Sequence, residues 1–476
     1  MRRFAVFAAG LVSTFMFSAG GTAAHAAASG GTWGKAEEVP GTAALNTGGY
    51  AEILSVSCGS PGNCSTGGAY ADSRGGFQAF VAGESNGTWR TATKVPGLAA
   101  LNAGDNAEII SVSCTSAGNC GAVGDYADSH GHFQAFVVSQ VSGTWGKAEE
   151  VPGLAALNKG AAFINAVWCA SAGNCSAGGD YTDSHGLTQA FVVSEAHGTW
   201  GAAEEVPGLG ALNTGGLAVI FSLSCGAAGN CSAGGYYSDS SANLQAYVVS
   251  EANGAWRKAQ EVPGLGALNT GGFAETDLVS CGAAGNCSAG GSYEDGSGDV
   301  LAFVVNEANG TWRTAKNVPG LAALNTGGSA ETDAVSCGAA GNCGAGGFYG
   351  VRSGHAQAFV VSRADGRWGT AEKVPGLAAL NAGGFAGINS MSCGAAGNCG
   401  AGGSYEDSFR HTQAFVVSRA DGRWGTAEKV PGLAALNAGG HAGISSVSCA
   451  SAGHCSATGS YKDSSGHTQA FVVSES

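Results

Sequence analysis

The chain has 476 residues, only 12% of them charged, and a formal net charge of −14. Lys and Arg total 21 and form no basic stripe, which excludes a nucleic-acid surface and disfavours anionic membranes as partners. The 83 glycines point to many tight turns in place of long helices.

At the start, Arg2 and Arg3 precede an apolar run from Phe4 to Phe17, 14 residues long, and Ala24-His25-Ala26 follows. This is the pattern of a secretory signal peptide over residues 1–26, too short to be a transmembrane helix. No later stretch is long and apolar enough to span a bilayer as a helix. A secreted, extracellular, monomeric protein is expected, with residues 27–476 as one domain.

The rest of the chain repeats. Trp33, Trp89, Trp145, Trp200, Trp256, Trp312, Trp368 and Trp424 are 56 residues apart, with a single interval of 55. A Pro lies seven residues after each of them, from Pro40 to Pro431, and eight Cys-x5-Cys pairs keep the same period. Fixed periods near this length indicate propellers or solenoids.

One unit shows the elements in order. Trp368 to Val374 is a short strand, stopped by Pro375-Gly376. Leu377 to Gly384 is a loop with room for one helical turn. Ile388 to Cys393, Cys399 to Tyr405 and Thr412 to Ser418 are three further strands, separated by Gly/Asn and Asp-Ser turns. Ala-Phe-Val-Val in the last of these is apolar on both faces, which suits a sheet sandwiched between two others. Four strands in each of eight units predict an eight-bladed β-propeller. The first Trp strand lacks three predecessors and the last three strands lack a fourth, so pairing the two ends would complete the eighth blade and hide two sheet edges. A β-solenoid is the alternative, and it would require atypical capping repeats.

The turn before each Trp, as in Ser362-Arg-Ala-Asp-Gly-Arg-Trp368 and Ser418-Arg-Ala-Asp-Gly-Arg-Trp424, resembles the Asp-box hairpin of sialidase-like propellers, one residue shorter. The Ser-Cys…Cys-x-Ala-x-Gly hairpin and the low-charge, Gly- and Ala-rich composition are similar to those of propellers secreted by high-GC bacteria. The resemblance implies the architecture and no activity, and the positively charged triad of sialidases is not visible.

The candidate chemistry lies in four sets of residues. The pairs Cys58/Cys64, Cys114/Cys120, Cys169/Cys175, Cys225/Cys231, Cys281/Cys287, Cys337/Cys343, Cys393/Cys399 and Cys449/Cys455 span a hairpin and are expected to be disulfides, because zinc would prefer tighter Cys-x2-Cys spacing. Each would contribute about 2 kcal/mol by loop entropy. The repeat Trp either packs between blades or offers its face to a sugar. Asn46, Asn102, Asn158, Asn213, Asn269, Asn325, Asn381 and Asn437 recur before Gly, as turn formers or as a ring of ligand-binding amides sharing a face with the Tyr-x-Asp turns. Glu275, Asp277, Glu331 and Asp333 break the symmetry of the repeat, where other units carry Leu54, Ile110, Phe221, Asn389 or Ser445. They are either a solvated patch or a site for Ca²⁺ or acid–base chemistry. No other cofactor is expected, and Trp168, outside the Trp series, reads as local repacking. The leading functional expectation is a non-catalytic binder of glycans or proteins, with a carbohydrate-active hydrolase or lyase and a structural surface protein as alternatives.

Overall fold

The computed structural model describes residues 31–476; the signal-peptide segment lies outside the described residues. Eight antiparallel sheets follow one another around a ring. The inner strands of blades 1 to 8 are Ala51–Ser60, Ala107–Ser116, Ala162–Ser171, Ala218–Ala227, Ala274–Ala283, Ala330–Ala339, Ala386–Ala395 and Ala442–Ser451. In blade 1 the second and third strands are Asn63–Ala71 and Phe77–Ser85. In blade 8 the outer strand comes from the other end of the chain, with Glu37 opposite Val472 and Glu38 opposite Phe471. The expected eight-bladed propeller and its closure by the terminal strands are therefore observed.

The outer strand is not continuous. In blade 6 it divides into Arg367–Trp368 and Glu372–Lys373, both paired with the third strand. The residue between them turns to the neighbouring blade: the Ala371 N–H donates to the Pro319 carbonyl at 2.7 Å. All eight seams repeat this bond, and Ala36 to Pro431 at 2.7 Å closes the ring. The Val-Pro-Gly segment thus supplies a carbonyl to the next blade, and Leu377–Leu380 then forms a single helical turn.

Apolar side chains meet at the seams. Val123 and Val137 of blade 2 pack with Ile164, Phe191 and Trp200 of blade 3, and equivalent clusters fill the others. The repeat Trp packs there too, with the Trp200 Nε1–H donating to Ser139 Oγ at 3.3 Å. Near the axis, the Ser-x-Ser-Cys motif stitches inner strands together. Ser55 Oγ accepts from Val112 N–H at 3.0 Å, and Ser57 Oγ accepts from Cys114 N–H at 2.8 Å. These hydroxyls satisfy backbone donors that an inner strand, with no further neighbour in its own sheet, would leave open.

Each inner strand carries a β-bulge. Ile53 faces Gly68 and Ser55 faces Gly67, leaving Leu54 as the extra residue; blade 5 leaves Asp277 and blade 6 leaves Asp333 in the same way. The second glycine of the Gly-Gly pair makes the bulge possible. A Cβ at Gly68, Gly235 or Gly291 would collide with the carbonyl oxygen of Glu52, Val219 or Glu275 on the inner strand. Gly235→Ala is accordingly expected to lower stability by about 2–3 kcal/mol, checked by chemical denaturation; an unchanged midpoint would show that the bulge does not depend on the bare glycine.

Candidate functional site

All eight Cys pairs form disulfides within a blade, each joining the end of the inner strand to the start of the second. They are crosslinks and packing groups, and the second Cys of the hairpin offers almost no surface to a ligand. Cys64, Cys231, Cys287, Cys343, Cys399 and Cys455 are 1 to 4% exposed. The hairpin spacing predicts the bridge but not this burial, which arises because the second sulfur turns into the seam. Cys64 Sγ lies 3.4 Å from Ser456 Oγ of the preceding blade, and Cys231 Sγ lies 3.4 Å from Ser176 Oγ. Cys287 and Cys343 meet Ser232 and Ser288 in the same way, at 3.6 and 3.3 Å. Cys455 instead faces Gly400, where a Cβ would come within 2.9 Å of its sulfur.

The disulfides lie at the end of the inner strand, while the Asn loops lie at its start, so the two sets occupy opposite faces. The loop face also holds the Tyr-x-Asp turns, because Asn213 Nδ2 donates to Gln189 Oε1 at 3.0 Å and Gln189 Nε2 donates to Asp183 Oδ2 at 3.1 Å.

The same bonds redirect the expectation for the Asn ring. Asn213 Oδ1 accepts from Leu217 N–H at 2.8 Å and Nδ2 also donates to Thr188 O, so the amide fastens its loop to the preceding blade. Asn46, Asn102, Asn269, Asn381 and Asn437 are buried and fastened to the neighbouring blade's third strand by comparable bonds, and Asn325 Oδ1 accepts from Ser329 N–H. Asn158, in the shortened unit, is also buried and bonds Gly160 and Gln134. The geometry therefore places these amides as loop fasteners, with little left to offer a ligand. The tyrosines of the Tyr-x-Asp turns are likewise core residues, Tyr70 and Tyr405 each 1% exposed.

The carboxylates are placed differently. Asp277 and Asp333 are bulge residues, and a bulge re-aims its extra side chain away from the ladder. In other blades this position lines the central channel, a cavity of about 320 Å³ whose walls include Leu54, Ile110, Asn165 and Phe221. Glu275 and Glu331 stand two residues earlier on the same strands. Burial pushes the Asp277 carboxyl up to about 9, reinforced by the charges of Glu275, Asp333 and Glu331. Asp333 is pushed up to about 7 by burial and then by Glu331 and Glu275. Glu275 and Glu331 are also raised, each mainly by burial. The four carboxylates thus lie on neighbouring strands, but only Asp277 and Asp333 break the symmetry of the repeat: Glu52 and Glu108 occupy the position of Glu275 and Glu331 in blades 1 and 2. Among the described residues no group of three His, Cys, Asp or Glu side chains is arranged to hold a metal ion.

Internal symmetry explains what a raised pKa does here. Asn165 Nδ2, at the bulge of blade 3, donates to Ile220 O of the next blade at 2.8 Å, and Asn389 Nδ2 donates to Ile444 O at 2.9 Å. Asp277 and Asp333 replace this donor with a carboxyl, which can donate only when protonated.

Further residues at the channel escape the sequence reading. Asp125, on the second strand of blade 2, is 4% exposed, accepts from Ile164 N–H of blade 3 at 3.0 Å, and has its pKa raised by burial despite that bond. Asp180, at the same position of blade 3, is raised to about 6 by burial, against the hydrogen bond from Asn165. The signal was available, since other units carry residues such as Ala69, Ser292 or Ser404 there. Trp168, expected only to repack locally, replaces a seam Ser, is 40% exposed and lines the channel. Phe221 is 37% exposed in the same wall.

No protein family matches this chain, and no curated protein does. Among solved structures, YCF48 from Cyanidioschyzon merolae is similar with a TM-score of 0.41 at 12% identity, over 82% of this chain and 98% of that one. A polysaccharide lyase described as an ulvan lyase gives 0.41 at 10% identity, over 85% and 96% of the two chains. A fucose-specific lectin from Aleuria aurantia gives 0.29 at 10% identity, over 63% and 88%. With these three TM-scores all below 0.5, the functional reading rests on the chain's own residues.

The sign of the pH effect follows from the raised pKa of Asp277. Between the unfolded value near 4 and the folded value of about 9, the folded state binds the extra proton, so this group's contribution to stability falls as pH rises through that window. Asp277→Asn keeps a donor at every pH. The variant is expected to gain melting temperature relative to wild type, and to gain more at pH 8 than at pH 5; thermal scans at the two pH values check this, and equal differences would place Asp277 in ordinary solvent.

Proposed function

We propose that the protein is secreted and binds neutral or amine-bearing glycans, without chemistry, at the loop-face mouth of its channel. The observation that carries this is the convergence of Glu275, Asp277, Glu331 and Asp333 at and beside two consecutive bulges, next to a channel wall that includes Leu54, Ile110 and Phe221 and with Glu52 and Glu108 at the matching positions of blades 1 and 2. Ionised carboxylates accept hydrogen bonds from vicinal sugar hydroxyls, and a protonated Asp277 donates one. The apolar residues of the channel wall suit the C–H face of a sugar ring. Eight disulfides fit an oxidising extracellular compartment, and among the described residues no helix is long and apolar enough to cross a membrane. A net charge of −14 disfavours acidic polysaccharides. The opening favours one asymmetric site over a ring of eight weak ones.

A second reading has its own support. A carboxyl protonated at neutral pH beside others that ionise lower is the arrangement of a general acid and its partner, which fits a hydrolase or lyase acting on the same class of ligand. A glycan array probed with residues 27–476 tests both. The combined variant Glu275→Gln, Asp277→Asn, Glu331→Gln and Asp333→Asn is expected to lose at least tenfold in binding to whichever neutral or amine-bearing glycan the parent retains. Undiminished binding would remove the mouth as the site. Release of shorter products from a bound glycan would replace the binding reading with the enzymatic one.

A further inference from the structure

The disulfide face holds a second departure from the repeat, far from the loop-face mouth. At most seams the residue after the first Cys is Gly, and the neighbouring hairpin leaves no room for more. A Cβ at Gly59, Gly226, Gly282 or Gly338 would collide with the backbone of Ser116, Ala283, Ala339 or Ala395 in the next blade. Blade 2 carries Thr115 at this position, so its hairpin and that of blade 3 must stand apart. A pocket of about 410 Å³ opens at this seam, lined by Thr115, Ala172 and Glu195 among others. A smaller one of about 170 Å³ opens between blades 8 and 1, where Ala450 replaces the same Gly. Both of these seams carry a side chain in place of the Gly, as blade 3 also does with Ala170, which packs against the apolar cluster of its seam.

The second departure concerns the carboxylate in that pocket. Every seam buries one long polar side chain from the third strand, and the others include Glu84, Glu251, Glu307 and Arg363. Glu307 has both oxygens bonded, with Ser250 Oγ donating to Oε1 at 2.8 Å and Ser232 Oγ donating to Oε2 at 2.9 Å, whereas the second oxygens of Glu84 and Glu251 have no partner. Glu195 keeps the first bond, from Ser139 Oγ at 2.9 Å. The residue that would supply the second hydroxyl is Gly121. Glu195 is thus a 4%-exposed carboxylate with one oxygen unbonded, as in Glu84 and Glu251, and it stands in the larger of the two pockets, whose lining holds His197 but no Lys or Arg. Val141, 66% exposed where other blades carry Ala196, Ala252 or Ala308, adds an apolar rim, and Cys120 and Cys175 add apolar wall.

We propose that the seam between blades 2 and 3 is a binding site for a small organic ammonium ion, its nitrogen on the Glu195 carboxylate and its carbon body against Val141 and the disulfide wall. A buried carboxylate is stable when it is paired, and an ammonium donor supplies both the missing hydrogen bond and the opposite charge. The volume is that of a small-molecule site. A single carboxylate among hydroxyls and apolar groups suits an alkyl or cyclic amine better than a hard metal ion, which requires several oxygen ligands.

The test is ligand-observed NMR titration of residues 27–476 with cyclohexylammonium chloride, with cyclohexanol as its neutral counterpart. Cyclohexylammonium is expected to saturate one site and to bind at least tenfold more tightly than the alcohol. Glu195→Gln should weaken it at least tenfold, and Thr115→Gly, which leaves the carboxylate in place but lets the seam close, should weaken it as well. The combined loop-face variant should bind it as the parent does, so failure of the glycan reading leaves this one standing. Nα-acetyl-lysine amide separates two sources of the ammonium: binding as tight as cyclohexylammonium assigns it to a lysine side chain of a partner, and weaker binding assigns it to a free amine, either result supporting the site. Equal binding of cyclohexanol, or binding unchanged by Glu195→Gln in a variant whose melting temperature matches the parent, would overturn the proposal.

Discussion

Everything in this molecule depends on the seam between consecutive blades. A sheet such as Gly121 to Asp125 against Ala135 to Val138 is apolar on both faces and buries neither alone. The ring solves this by giving each face a neighbour, and three repeated contacts hold the neighbour in register: Ala N–H to Pro carbonyl at the outer edge, apolar clusters in the middle, and Ser hydroxyls to inner-strand N–H groups at the axis. An open row of blades would leave two faces bare. The bond from Ala36 to Pro431 and the pairing of Glu37 with Val472 remove both.

This constraint explains why so much of the fold is legible in the sequence. A seam repeated eight times demands the same residues eight times, so the period, the four strands and the disulfide hairpins stand out without any knowledge of the ring. What recurrence alone does not reveal is purpose. Asn213 and its counterparts recur because each loop must be fastened to the preceding blade, and a ring of ligand-binding amides would recur in the same way. The split of the outer strand was also hidden, since Gly369-Thr370-Ala371 looks like a continuous strand until the Pro319 carbonyl is seen beside it. Asp125 and Asp180 were passed over because they sit on second strands; only the curvature of the blade brings that position to the mouth.

The bulge gives the repeat a place to vary. Its extra residue pairs with nothing in its own sheet, so exchanging Leu54 for Asp277 or Phe221 leaves the ladder intact. The side chains just before it, such as Ile53 and Thr276, are fully buried between blades and have no such freedom. The bulge position is therefore the one on the inner strand that varies most freely, with apolar, amide and acidic side chains in different sectors. A carboxyl at this position is an unfavourable choice for stability, because burial and its acidic neighbours hold it protonated near neutral pH.

The opposite face varies by a different rule. There the disulfides fix the hairpins, and the freedom lies in how closely two hairpins approach. Gly282 brings its backbone against the next blade, whereas Thr115 and Ala450 carry side chains at the two seams where pockets open, and Ala170 packs its methyl into the seam of blades 3 and 4. A change at this position is local, because the Ala-to-Pro bond and the apolar cluster of the same seam lie farther out along the blade; the seam of blades 2 and 3 keeps the bond from Ala203 to Pro152 at 2.7 Å despite its pocket. The propeller thus separates what holds it closed from what differs between blades, and this separation lets a nearly uniform ring depart from its symmetry in unlike ways on its two faces.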